Sequence, residues 1–216
     1  MKAFLFDLNG TMIDDMDYHI KAWHTILNNL GANISMERAK AECYGKNHEL
    51  LERIFPGRFT DAEKDSMSYQ KEEQYQQAFR PRLQLIAGLG EFLEKAYHQK
   101  IPMAIGSAAI TFNIDFVLDG LHIRHYFNSI VSADNVTSSK PNPETYLKNA
   151  AELNVAPANC IVFEDAPKGV EAAKNAGMQA VVITSMHTKE EFAAYDNIIG
   201  FIKDYTEPWL SKQLLG

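Results

Sequence analysis

The sequence has 216 residues and only two cysteines, Cys43 and Cys160. So few thiols exclude a disulfide framework and fit a reducing compartment. Neither has a second Cys or His at ligand spacing beside it, so both read as small buried apolar residues and not as a metal pair. Long hydrophobic runs are missing too. No stretch approaches the ~18–20 apolar residues of a membrane span, and the opening Lys2-Ala3-Phe4-Leu5-Phe6 is stopped by Asp7 long before a signal-peptide core forms. Positive charge is scarce: 21 Lys and Arg against 28 Asp and Glu leave a net charge of −7. That deficit argues against nucleic acid or an anionic membrane as partner, and it requires a local cation for any anionic ligand. Low-complexity tracts and internal repeats are also absent, and 46% hydrophobic with 23% charged residues is ordinary globular usage. The expectation is a cytoplasmic, monomeric globular protein with no nucleic acid and no membrane partner.

What is present is a short apolar run, a turn and a helix, repeated. Apolar runs at 3–6, 101–105, 126–131, 160–163, 180–184 and 198–202 predict strands, continuous enough to be buried on both faces. Helical patterns fall between them at 88–98, 111–121, 143–154 and 167–176, with Pro143 and Pro167 at first-turn positions and Gly177 at a C-terminus. Such alternation predicts right-handed βαβ units and an α/β fold with a doubly wound parallel sheet. The stretch 14–85 breaks the rhythm. Tyr18, Ala22, Ile26 and Leu30 recur at helical spacing, and 47–55 and 61–79 predict two further helices. The reading is a discontinuous Rossmann-like core, 1–13 and 86–216, with a small helical cap domain, 14–85, inserted after the first strand.

Ligands of parallel sheets bind outside the carboxyl ends of the strands. The predicted strand ends carry Asp7 and Asn9, Ser107, Asp134, and Glu164-Asp165. Any one of these is an ordinary turn former; together they place carboxylates and a hydroxyl on one rim.

Asp7-Leu8-Asn9-Gly10-Thr11 resembles the first motif of the haloacid dehalogenase superfamily, DxDGT. Ser107 in Ile105-Gly106-Ser107-Ala108-Ala109 resembles its second motif, Lys140 in Ser139-Lys140-Pro141-Asn142-Pro143 its third, and Glu164-Asp165 its fourth. The insert is similar to the family's small helical cap. Tyr18 to Trp23 and the Lys140-Pro141 context are similar to the β-phosphoglucomutase-like branch. The resemblance implies a Mg²⁺-dependent phosphatase acting on a small phosphorylated metabolite. Asp7 would be the nucleophile that forms an aspartyl-phosphate. Asp7, Asp165 and the backbone carbonyl of Asn9 would bind Mg²⁺, with Glu164 a ligand through water or the holder of Lys140. Ser107, Ala108 and the amides opening the next helix, together with Lys140, would clamp the phosphate.

One residue departs from the motif. The family's second acid gives a proton to the leaving oxygen, and here that position is Asn9, whose carboxamide cannot. General acid–base catalysis is worth ~10²–10⁴-fold, so the replacement argues most strongly against a sugar-phosphate mutase. A substrate with a good leaving group, proton transfer by His19, or deamidation at Asn9-Gly10 would each offset it. A catalytically weakened phospho-ligand binding or regulatory protein is the alternative from another class. Substrate choice is expected from the cap, where the family places a cation three residues after a glycine. Counted from Gly45, that position is His48, with Lys46 and Arg53 nearby. Lys46 would also suit the Schiff-base chemistry of a phosphonatase.

Overall fold

Strands that bury every side chain need cover on both faces, and the innermost ones here do. Ala3–Phe6, Met103–Gly106 and Cys160–Glu164 are buried at every position. A computed structural model describes residues 2–216. In chain order the strands are β1 (Ala3–Phe6), β2 (Met103–Gly106), β3 (Ser129–Val131), β4 (Cys160–Glu164), β5 (Gln179–Ile183) and β6 (Ile198–Ile202). The helices are α1 (Met16–Asn29), α2 (Met36–Glu42), α3 (Asn47–Ile54), α4 (Asp61–Phe79), α5 (Leu89–His98), α6 (Thr111–Gly120), α7 (Glu144–Glu152), α8 (Pro167–Asn175) and α9 (Pro208–Leu214). The six strands form one sheet in the order β3-β2-β1-β4-β5-β6, every pair parallel. This is the doubly wound α/β sheet expected from the alternation of runs and helices. Its order reverses between β1 and β4, where ligand crevices form.

The chain divides into two compact units, Met1–Asp14 with Gln84–Gly216, and Asp15–Leu83. In the sheet unit, Phe6 stacks on Phe163 with ring centroids 4.6 Å apart, and Phe92 packs edge-on to both. In the helical unit, Trp23, Ile26 and Leu27 of α1 pack with Leu50 and Leu51 of α3. The buried face of α1 is His19, Ile20, Ala22, Trp23, Ile26 and Leu27. Tyr18 and Leu30, read as part of the apolar stripe, are only half-buried.

Other differences have local causes. The residues before Ser129 turn as a short 3₁₀ segment, Arg124–Tyr126, so β3 is only three residues long. Pro143 is the residue before α7, not its first. Helix α2 lacks an apolar stripe, with Ala39 its one buried residue. Its start is marked instead by Ser35, whose hydroxyl accepts from the Arg38 amide at 3.2 Å. Cys160 is buried, whereas Cys43 is partly exposed. Among the described residues no helix is long and apolar enough to cross a membrane.

Candidate active site

The sheet register fixes the site. Phe6 pairs with Ile105 of β2 and with Phe163 of β4, so the next residues, Asp7, Gly106 and Glu164, reach the rim at one level. The Asp7 amide still donates to the Phe163 carbonyl at 3.0 Å, which ties the acid to the strand end. Lys140, on the segment before α7, donates to Asp7 Oδ1 at 2.6 Å and to Glu164 Oε1 at 2.7 Å. Tyr146 of α7 donates to the same Glu164 oxygen at 2.9 Å, and the Asp165 and Ala166 amides donate to Oε2 at 3.0 Å each. Both oxygens of Glu164 are thus doubly engaged. Its carboxylate lies under the first turn of α8, where a Cβ on Gly169 would sit 1.7 Å from Oε1. Only glycine leaves that space.

The loop after β1 is equally constrained. Gly10 has φ +73°, and a Cβ there would lie 2.1 Å from Asp165 Oδ2. Thr11 donates its hydroxyl to Asp165 Oδ1 at 3.2 Å. The Gly10 amide donates to the Ile13 carbonyl at 2.9 Å. That amide nitrogen is the atom that would attack Asn9 in deamidation, and here it is engaged in the turn.

Ser107 is buried directly after β2. Its hydroxyl accepts from the Ala109 amide at 3.1 Å, with Ala108 between them. Helix α6 opens only at Thr111. The amides after Ser107 therefore belong to a loop and not to the first turn of a helix, which corrects the expected cradle. Asp134 serves α6 instead, its Oδ2 accepting from the Thr111 amide at 2.8 Å and hydroxyl at 2.7 Å.

Charge is concentrated at this rim. One carboxylate oxygen from each of Asp7, Glu164 and Asp165 lies within 4.8 Å of the others, and all three residues are buried. Burial, and then the charges of Glu164 and Asp7, push the Asp165 carboxyl well above its ordinary value, although Lys140 and Thr11 oppose the shift. Burial works against the Lys140 ammonium, yet the Asp7 and Glu164 carboxylates outweigh it and hold its pKa above the usual lysine value. Three carboxyl groups crowd around the Lys140 ammonium, and the raised Asp165 pKa is the mark of that crowding. Hard oxygen donors in that state suit a divalent cation such as Mg²⁺. Because Glu164 is already taken up by Lys140, Tyr146 and two amides, Asp7 and Asp165 are the carboxylates that would hold the ion.

The helical unit has a buried polar network of its own. His19 Nε2 lies 3.2 Å from Asp15 Oδ2, and its Nδ1 lies 2.6 Å from Lys71 Nζ. Lys71 bonds both oxygens of Glu72, at 2.9 and 3.0 Å. Tyr75 donates to Asp15 Oδ2 at 2.5 Å and stacks on the His19 ring at 3.8 Å. His48 is paired with Asp65 at 2.8 Å. The Lys46 backbone amide donates to Glu49 Oε2 at 2.9 Å at the start of α3. Arg53 stacks on Tyr44 at 3.8 Å. Lys71, Glu72 and Tyr75 did not emerge from the sequence reading, because α4 looks uniformly charged. Their signal was helical spacing of buried positions, Ser68, Lys71, Glu72, Tyr75, Gln76 and Phe79, carried by polar residues.

The fold is a doubly wound parallel sheet with a helical segment inserted after its first strand, and a lysine bridges two of the buried acids at its strand ends. The chain belongs to the haloacid dehalogenase-like hydrolase family, whose sequence model matches residues 4–183, and within it to the β-phosphoglucomutase-like branch. It is 30% identical over 179 residues to fructose-1-phosphate phosphatase YqaB of Escherichia coli, covering 83% of this chain and 94% of that one. It is 34% identical over 188 residues to the β-phosphoglucomutase of Bacillus subtilis, covering 84% and 82%. The crystal structure of a β-phosphoglucomutase from Clostridium difficile superposes with a TM-score of 0.84 at 26% identity, covering 100% of this chain and 96% of that one.

Proposed function

We propose that this protein is a Mg²⁺-dependent phosphatase that removes the phosphoryl group of a small phosphorylated metabolite through an aspartyl-phosphate on Asp7. The observation that carries the reading is the Lys140 ammonium bridging Asp7 and Glu164 beside Asp165. It sets a cation against the Asp7 carboxylate at the end of β1, where the Asp7 amide is tied to the Phe163 carbonyl. The named activities of the relatives support a phosphorylated carbohydrate as substrate.

Asp7 and Asp165, with the Asn9 carbonyl, would hold the ion. When bound, Mg²⁺ neutralises phosphoryl charge so that an anionic carboxylate can approach an anionic ester. An oxygen of Asp7 attacks phosphorus, and the bond from phosphorus to the leaving oxygen breaks. Two of the three Lys140 N–H bonds are directed at carboxylates; the third is the one a phosphoryl oxygen would take. Ser107 and the Ala108 amide would receive another. The leaving oxygen departs with its electron pair and takes its proton from water, because Asn9 has none to give. Water then cleaves the aspartyl-phosphate, releasing phosphate and restoring Asp7.

The Asn9 carboxamide favours substrates whose leaving oxygen needs little protonation. It equally favours a second reading, a phospho-ligand binding protein with slow turnover. The two are separated by steady-state assays with Mg²⁺ on 4-nitrophenyl phosphate and on a panel of sugar phosphates, alongside a phosphate-binding titration. Metal-dependent turnover of the aryl ester supports the phosphatase. Retained phosphate binding with turnover of neither class overturns it. Interconversion of sugar-phosphate isomers without phosphate release would make the protein a mutase.

A further inference from the structure

Three consecutive peptide planes carry the turn that leads out of β1, and each is held. The Asn9–Gly10 plane is held by the Gly10 amide, which donates to the Ile13 carbonyl at 2.9 Å. The Gly10–Thr11 plane is held from far along the chain: the hydroxyl of Ser185, two residues beyond β5, donates to the Gly10 carbonyl at 2.8 Å. The Thr11–Met12 plane is held at both ends. The Met12 amide donates to the Leu8 carbonyl at 2.9 Å, and the Tyr205 hydroxyl donates to the Thr11 carbonyl at 3.1 Å.

Because each peptide is planar, holding successive planes sets the backbone torsions between them. The direction of the Thr11 side chain follows, and its hydroxyl meets Asp165 Oδ1 at 3.2 Å. The bonds among Leu8, Gly10, Met12 and Ile13 shape the turn internally; Ser185 and Tyr205 anchor it to the frame. Tyr205 is itself immobilised. Its ring is buried against Phe92 and Phe163, with centroids at 5.9 and 5.8 Å, and its amide donates to the Ala87 carbonyl at 2.9 Å. The adjoining Gly88 lacks the Cβ that would lie 2.6 Å from the Tyr205 carbonyl carbon. Burial, and the charges of Asp165 and Asp7, keep the phenol protonated and therefore a donor.

We propose that Ser185 and Tyr205 are positioning residues for the divalent cation: they fix the Gly10 and Thr11 carbonyls so that the Asn9–Thr11 turn and Asp165 present their oxygens in one prearranged set. The inference rests on the cation chemistry proposed above. Neither residue touches the reacting atoms, so the effect is carried by the turn.

The test is calorimetric titration of Mg²⁺ into full-length, metal-stripped protein, for wild type, Ser185→Ala, Ser185→Thr, Tyr205→Phe and the Ser185→Ala/Tyr205→Phe double variant. Loss of one neutral hydrogen bond predicts a ~3–10-fold weaker Mg²⁺ affinity in each single variant and a larger loss in the double. Ser185→Thr, which keeps a hydroxyl, recovers most of it. The metal-free melting temperature of Ser185→Ala stays near wild type, because Ser185 is an exposed residue. Mg²⁺ affinities within about twofold of wild type in the double variant would overturn the inference and leave the phosphatase reading standing. Affinity losses that simply follow the metal-free melting temperature would overturn it equally. A wild-type protein that takes up no Mg²⁺ would overturn both.

Discussion

Replacing Lys140 by Met removes the one ammonium that bridges Asp7 and Glu164, at 2.6 and 2.7 Å, while keeping a side chain of similar length against Tyr146. Truncating one partner of a buried ion pair costs ~3–5 kcal/mol, because the other charge is left uncompensated. An upper bound follows from protonation: a bared carboxylate escapes by binding a proton, at ~1.36 kcal/mol for each pH unit between its ordinary value near ~4 and the solution pH. That bound is ~4 kcal/mol at pH 7 and ~1.4 kcal/mol at pH 5. The expected outcome is a metal-free Lys140→Met protein less stable than wild type by ~3–4 kcal/mol at pH 7, shrinking to ~1 kcal/mol at pH 5. The lysine's own contribution does not change over this range, since its folded value lies above the ordinary lysine value and any loss would come only as pH rises through it. The pH dependence therefore belongs to the carboxylates bared in the variant, which are relieved by taking up protons as pH falls, so the deficit grows as pH rises. Urea unfolding at the two pH values, in chelator, measures it. A deficit below ~1 kcal/mol at pH 7, or one equal at both pH values, would refute the charge reasoning. Saturating Mg²⁺ should stabilise the variant more than wild type, because it meets less neutralised carboxylates.

Three further outcomes are expected. Asn9→Asp should raise kcat on sugar phosphates by ~10²–10⁴-fold and change the rate on 4-nitrophenyl phosphate far less, since only the poor leaving group needs a proton; steady-state kinetics on both substrates decide it. Gly169→Ala would gain ~1 kcal/mol in a free helix, yet its Cβ would lie 1.7 Å from Glu164 Oε1 and displace that carboxylate from Lys140, Tyr146 and two amides. A net loss of ~2–3 kcal/mol in urea unfolding is expected, and a neutral or stabilised variant would contradict the packing. Tyr75→Phe removes the donor at 2.5 Å from Asp15 Oδ2 and should weaken the helical unit by ~1–3 kcal/mol, read as faster hydrogen exchange in α1 and α4.

The sequence by itself determined the sheet and the residues at its rim. Runs such as Ala3 to Phe6 and Cys160 to Phe163 are apolar throughout because strands covered on both faces need no polar side, and that continuity survives in one dimension. Asp7, Ser107 and Glu164-Asp165 were legible because each follows such a run directly, and a parallel sheet brings every strand end to one side. Asn9 was legible as a departure because the residues around it follow the motif. Helix α2 was not, since a helix that buries only Ala39 has no stripe to read.

Tertiary structure alone decided which of these residues touch. Lys140 reaches Asp7 across 133 positions, Tyr205 reaches Thr11 across 194, and Ser185 reaches Gly10 across 175. No local pattern encodes such pairs, because hydrogen bonds of this kind depend on where strands and loops are placed by packing, not on sequence spacing. The same holds for Lys71 and His19, whose burial depends on the partners that neutralise them. Local order writes the elements and their polar ends, whereas the compensation of buried charge is a property of the folded neighbourhood.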